Sequence, residues 1–377
     1  MDRVRAGRPL PGLGIEAPDA RTLVLRLSHP DPLLMEKLAS PGMGRPWKRR
    51  DAPSWGEAVG IGPYRVSRYE PGRALTCVRA DSASPVHATA DTLTAHFVIG
   101  APRVRTLLRH GVPDLVWPLP PAIAGTPLPA GYAFDRLEAS PPRRLLMVMR
   151  ADVPPTTKLP ARHVLVHALN HEELMSALGS RTSANDPWLA GGPPFEFPRL
   201  DAAELRAWLD RGKLGASFHV VMAYDADGAG ADIARTLQGE WAAQGLYVEL
   251  RALRGVNAAA EPLRASAAQV QLVEAQAPMP GAAAELATLV MPLRGPAVGS
   301  FRTGWRTREF DRWIGAGSFG TPNDSGPLDP GLAQARLTEE RVALPLARLS
   351  WAWARRDGAA ATAVRFTAAT GPEFSRP

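Results

Sequence analysis

Between residues 216 and 253 the sequence changes period twice, and this constrains the fold more than any other feature of the chain. Phe218-His219-Val220-Val221-Met222-Ala223-Tyr224 is a short apolar, β-branched run, ended by the turn chemistry of Asp225-Ala226-Asp227-Gly228-Ala229-Gly230. From Asp232 the spacing becomes helical. Ile233, Ala234, Leu237 and Trp241 share one face, with Arg235, Gln238 and Glu240 directed outward. Asp232 can cap this helix, and Gly245 supplies the left-handed residue that ends it. Leu246-Tyr247-Val248-Glu249-Leu250 then resumes as a strand. Strand, helix and strand running in one direction make a right-handed crossover, the unit of a parallel sheet. The expected class is α/β.

Other segments fit the same class. Thr22–Leu27 reads as a strand with Leu23, Leu25 and Leu27 on one face, and Tyr64–Glu70 and Ala74–Arg79 as two strands around a Pro-Gly turn. Leu145-Leu146-Met147-Val148-Met149 is apolar without alternation, as in a strand covered on both faces. The spacing predicts one long helix over 161–178, and shorter helices at 104–110, 202–209, 309–314 and 332–342. A chain of 377 residues buries roughly 75% of its unfolded surface and suggests two lobes.

Composition excludes several function classes. The net charge is +7, but the cations are 40 Arg and only four Lys, scattered among Asp and Glu. No basic stripe, zinc spacing or aromatic RNA-binding signature accompanies them, so nucleic acid is not an expected partner. Cys77 is the only cysteine, which forbids an intrachain disulfide. No apolar run approaches the roughly 18 residues of a membrane span, and the N-terminus has no signal-peptide core. Asp227-Gly228-Ala229-Gly230 lacks the Lys-Ser or Lys-Thr of a phosphate loop, and no Gly-x-Ser-x-Gly elbow occurs. No catalytic residue is expected. His163, His167 and His171 recur at helical spacing without the His-Glu-x-x-His order of a zinc hydrolase. They read as partly exposed helix histidines, with no metal or cofactor.

Four motifs in order carry a resemblance. Gly60-Ile61-Gly62-Pro63-Tyr64, Arg109-His110-Gly111-Val112-Pro113-Asp114, Arg162 to Glu172, and Ser300-Phe301-Arg302-Thr303-Gly304-Trp305 followed by Glu309-Phe310-Asp311 are similar to segments of the bacterial family 5 extracellular solute-binding proteins. These are the peptide and nickel receptors of ABC importers. The resemblance implies a two-lobed, periplasmic-binding-protein-like (type II) α/β clamshell, N-terminally incomplete. Residues 1–58 would be a remnant of the N-terminal subdomain, 59–140 the first lobe, 141–340 the second, and 341–377 a return to the first lobe and a tail. The implied function is capture of a peptide-like or other small solute by a monomer and delivery to an ABC permease, with no bond made or broken. The implied location is periplasmic or cell-surface. The alternatives are an intracellular solute-sensing module of a transcriptional regulator and a degenerate, non-transporting relative.

The resemblance also points to three ligand-binding residues. Gln276 falls where family peptide receptors carry an Asp that pairs with the ligand ammonium. Removing one partner of a buried ion pair costs about 3 to 5 kcal/mol, so a free amine is disfavoured unless Glu274 or another acid takes over. Trp188, in a Pro/Gly loop, is either a wall of the pocket or a pin for its own loop. Trp305 replaces a family Tyr and belongs either to the core or to the cleft.

Overall fold

The computed structural model describes residues 14–27, 31, 34–38, 47–48, 58–59, 62–80, 87–88, 90–178, 182–183, 199–215, 218–226, 228, 230–253, 268–276, 286, 303–305, 307–314, 329–358, 365–367, 371–373 and 375–376. Near the start, β1 (Ile15–Asp19) and β2 (Thr22–Leu25) form an antiparallel hairpin. The expected buried face of this strand is solvent-exposed, Leu23 at 65% and Leu27 at 47%. Among the described residues the hairpin joins no further strand, and a two-stranded ribbon alone offers its side chains nothing to pack on. Next, β3 (Tyr64–Glu70), β4 (Ala74–Arg79) and β5 (Thr92–His96) make a three-stranded antiparallel sheet in that order.

Helix α1 (Ala101–Arg109) and the short strand β6 (Leu115–Val116) build a first core. Val104 and Leu108 of the helix pack there with Leu119, Ile123 and Ala354. The chain then enters the longest strand described, β7 (Tyr132–Met149). It continues through α2 (Leu159–His167), α3 (His171–Leu178), α4 (Ala202–Arg211), β8 (His219–Asp225), α5 (Gly230–Ala243), β9 (Tyr247–Leu253) and β10 (Val270–Gln276). Helices α6 (Arg308–Trp313) and α7 (Pro330–Glu340) precede a second long strand, β11 (Ala343–Arg356).

Seven of the described strands make one mixed sheet, in the order Thr182–Ser183, β11, β7, β10, β8, β9, with β6 on the far end of β11. Pairing is antiparallel from β11 to β10 and parallel from β10 through β8 to β9. The crossover unit therefore stands as expected, with Gly245 at φ +76° closing its helix. Side chains alternate across β7. Leu145, Met147 and Met149 enter the core under α2, α4 and α5, while Leu146 and Val148 enter a second core under α6 and α7. Cover on both faces is the reason the Leu145–Met149 run lacks polar positions.

Five expectations are corrected here. The helix over 161–178 is two helices, broken at Ala168–Asn170, because Asn170 accepts the Glu172 amide at 3.1 Å and starts a new turn. His163 and His167 are thus on α2 and His171 opens α3, so the three do not share one helix face. His167 is buried, not partly exposed: its ring stacks on His163, with centroids 4.1 Å apart. Glu240 is buried rather than outward, because α3 lies across that side of α5 and Arg199 approaches its carboxylate at 3.7 Å. Asp232 lies inside the first turn of α5 and pairs with Arg235, so it does not cap the helix.

Candidate functional site

The two long strands β7 and β11 join the core around α1 to the larger sheet with its two covered faces. Tyr132–Glu138 pair with Ser350–Arg356 beside α1, and Arg143–Val148 pair with Ala343–Leu349 within the larger sheet. Between these two stretches the register breaks at 139–142, where Pro141 and Pro142 withhold ladder donors. A cluster of polar and aromatic side chains gathers at this crossing.

From the larger body come the carboxyl ends of the parallel strands, the edge where open α/β sheets hold ligands. Asp225 ends β8 and Gln276 ends β10, with Gln276 opposite Arg143 in register. Arg143 forms an ion pair with Glu274, and both side chains are largely buried, at 18% and 23% exposure. The Glu274 and Asp225 carboxylates converge on Gly228, where a β-carbon would meet one at 3.0 Å and the other at 3.1 Å. From the smaller body comes Trp351, whose ring carries the Arg143 guanidinium 4.5 Å from its centroid. Trp117, which follows β6, packs on Trp351 with ring centroids 5.4 Å apart and planes tilted by 45°. Arg348 and Glu138 approach each other across the break at 3.5 Å. Aromatic walls, two paired cations, three acids and an amide suit reversible binding of a small polar solute.

Of the three residues expected at the site, Gln276 lies in this cluster. Trp305 lies on the other face of the sheet. It packs edge-on against Phe310, centroids 5.3 Å apart, in the core that also holds Leu146 and Val273. Its backbone is held by Thr303, whose Oγ1 accepts the Trp305 amide at 3.2 Å. The structure therefore does not bring Gln276 and Trp305 together on one face. Trp188 lies outside the described residues. Sequence reasoning missed Trp117, Trp351 and Arg143. The available signal was Trp351 and Trp353 alternating within a strand, since alternation sends both to one face.

With the geometry in view, relatives can be compared. The model for bacterial extracellular solute-binding proteins, family 5 (middle), matches residues 4–330. The chain belongs to this family. Solved structures agree in fold. NikA from Brucella suis in complex with Fe(III)-EDTA is 17% identical, with a TM-score of 0.70 over 96% of this chain and 78% of that one. NikZ from Campylobacter jejuni in complex with Ni(L-His) is 13% identical, with a TM-score of 0.72 over 96% and 76%. DppA from Helicobacter pylori in complex with the peptide STSA is 13% identical, with a TM-score of 0.70 over 94% and 71%. Comparison of the sequence with curated proteins gives no match. The architecture of this family 5 chain is thus the two-lobed, type II periplasmic-binding α/β fold. The family is one of binding proteins. Among the described residues no helix is long and apolar enough to cross a membrane.

Proposed function

We propose that this family 5 protein is the solute-binding component of an ABC importer. It takes a peptide-like or other small solute between its lobes, outside the cytoplasmic membrane, and presents it to a membrane permease. The supporting observation is the family match over residues 4–330, joined to a polar and aromatic cluster where both long strands cross between the cores. The first lobe comprises residues 59–140 and the returning part of β11, and the second lobe begins at 141. The register break at 139–142 is the hinge, because unpaired backbone there can absorb the φ/ψ change of closure. Residues 1–58 belong to an N-terminal subdomain. Gln276 lines the ligand cavity, and Trp188 and Trp305 serve it from further out. The protein acts as a monomer, without catalysis and without nucleic acid.

A thermal-shift panel of free and amine-blocked di- to pentapeptides, sugars and chelated nickel tests this reading. A ligand present at 100 times its dissociation constant adds about 2.7 kcal/mol to stability. The expected hit is peptide-like, with amine-blocked compounds equal to or better than free ones. Glu274 is already neutralised by Arg143, and Gln276 carries no charge for an ammonium. A panel with no stabilising compound removes the import reading. A strict preference for free amines removes the inference from Gln276 alone.

A further inference from the structure

At the strand crossing, Glu138 stands opposite Ser350 and Arg143 opposite Leu349. Strand β11 therefore passes from one body to the other without an extra residue, while β7 inserts residues 139–142. Directly opposed residues share a face, and neighbours along a strand alternate. Glu138, Ser350 and Arg348 thus lie on one face of the strand pair. Arg143, Leu349 and Trp351 lie on the other, together with Gln276, which is opposite Arg143 on β10. Each face carries one diagonal side-chain contact that spans the break. Arg348 of the larger sheet reaches Glu138 of the α1 body at 3.5 Å. Arg143 of the larger sheet lies over Trp351 of the α1 body, 4.5 Å from its ring centroid.

We propose that the Glu138–Arg348 ion pair is a strap on the back of the hinge, which opposes closure of the lobes and sets how much of the ligand-free protein is open. The proposal rests on the import reading above and adds what holds the lobes apart. Arg143, Gln276 and Trp351 mark the side on which the solute is held, which is the concave side of closure. A strand pair that bends toward that side draws its side chains together and spreads those on the opposite side. Closure thus keeps Arg143 on Trp351 and stretches Glu138 away from Arg348. Breaking this ion pair costs little, because the Glu138 side chain is 57% exposed and regains water. A weak strap suits a receptor, since the solute need only outweigh a small bias to shift the lobes. The Asp135–Arg355 pair is the natural comparison. It is also diagonal on these two strands, at 3.6 Å, but lies wholly on the α1 side of the break, so closure leaves it unchanged.

Double electron–electron resonance on the full chain tests this, with spin labels at Arg103→Cys on α1 and Ala242→Cys on α5 in a Cys77→Ser background. Both label positions are exposed. The closed distance is defined by adding the peptide of the thermal-shift panel that stabilises the native protein most. In ligand-free protein, Glu138→Gln is expected to raise the ratio of closed to open distances by about twofold to fivefold. Glu138→Arg, which turns attraction into repulsion, should move it at least as far, and Asp135→Asn should leave it unchanged. Affinity for the same peptide should tighten in Glu138→Gln by the factor that the distance ratio gives. An unmoved distribution in Glu138→Gln, an equal shift in Asp135→Asn, or a shift away from the closed distance overturns the strap and leaves the import reading standing. If no panel peptide moves the labels in the native protein, closure over a peptide is gone, and the strap falls with it.

Discussion

The sharpest constraint on a single residue is at Gly304. Its φ of +67° lies in the left-handed region, and a β-carbon there would lie 2.4 Å from Asp152 Cγ. The left-handed backbone alone costs a side chain about 1 kcal/mol, and overpacking typically adds about 1 to 3 kcal/mol. Gly304→Ala is therefore expected to lose about 2 to 3 kcal/mol in urea denaturation. The overlap includes Asp152 Cβ at 2.5 Å, so the double variant Gly304→Ala, Asp152→Ala should keep most of the loss. Recovery in that variant would mean that only the carboxyl group is in the way. Because Gly304 precedes Trp305, the same turn aims that indole at Phe310. Residue identity alone left Trp305 divided between core and cleft, and the structure sets its half-buried ring beside Phe310. The motif alone singled out Gln276, which ends its strand opposite Arg143. Trp117 and Trp351 were not legible, because their contact joins segments far apart in the chain.

Helix α2 shows what periodicity can and cannot give. Apolar spacing found the helical segment, but ran α2 and α3 together, because Asn170 fits a helix pattern as well as a cap. Two ties fasten α2. At one, Arg162 is buried, pairs with Glu340 of α7 at 2.9 Å, and donates to the Thr156 carbonyl at 2.8 Å. Arg162→Met leaves Glu340 with Arg336 alone, at 2.8 Å, and leaves the buried Thr156 carbonyl without this donor; it is expected to cost about 3 kcal/mol, read as a shift of the urea midpoint. At the other, His163 lies between His167 and the Trp208 indole of α4, 3.8 Å from the latter, and Arg211 covers the outer face of Trp208. Burial first, then His167, Arg341 and Arg211, hold the His163 pKa down at about 4 against an ordinary 6.5. The folded state thus binds fewer protons than the unfolded chain between these values. Stability contributed by neutral His163 is complete above pH 6.5 and is lost as pH falls toward 4, on the order of 2 kcal/mol. Melting scans at pH 7.5 and 4.5 should show this loss, and His163→Leu should reduce it. An unchanged pH dependence in that variant would place the acid sensitivity elsewhere.

At the scale of the molecule, the deciding feature is that β7 and β11 serve two bodies, the one around α1 and the larger sheet. Only Leu145–Met149 of β7 was legible, since its first half alternates between half-buried and exposed positions and Pro141-Pro142 reads as a strand end. The lobe division came from family motifs, and the strand crossing that gathers Trp117, Trp351 and Arg143 stayed out of view. The energetic consequence follows from the sizes of the two bodies. The core around α1 is small, built on Val104, Leu108, Leu119 and Ile123. The larger sheet is covered on both faces, with Trp241, Met147 and Phe310 fully buried. Two cores joined through a register break need not melt together, and buried apolar area makes the larger one the more stable. Calorimetry of the ligand-free protein is expected to resolve two transitions, the first from the α1 body. A ligand gripped by both lobes binds only where both are folded, so it raises the lower transition more than the upper and draws the two into one. A single transition without ligand would mean that the strand crossing transmits unfolding between the lobes. A ligand that raises only the upper transition would place binding within the second lobe alone.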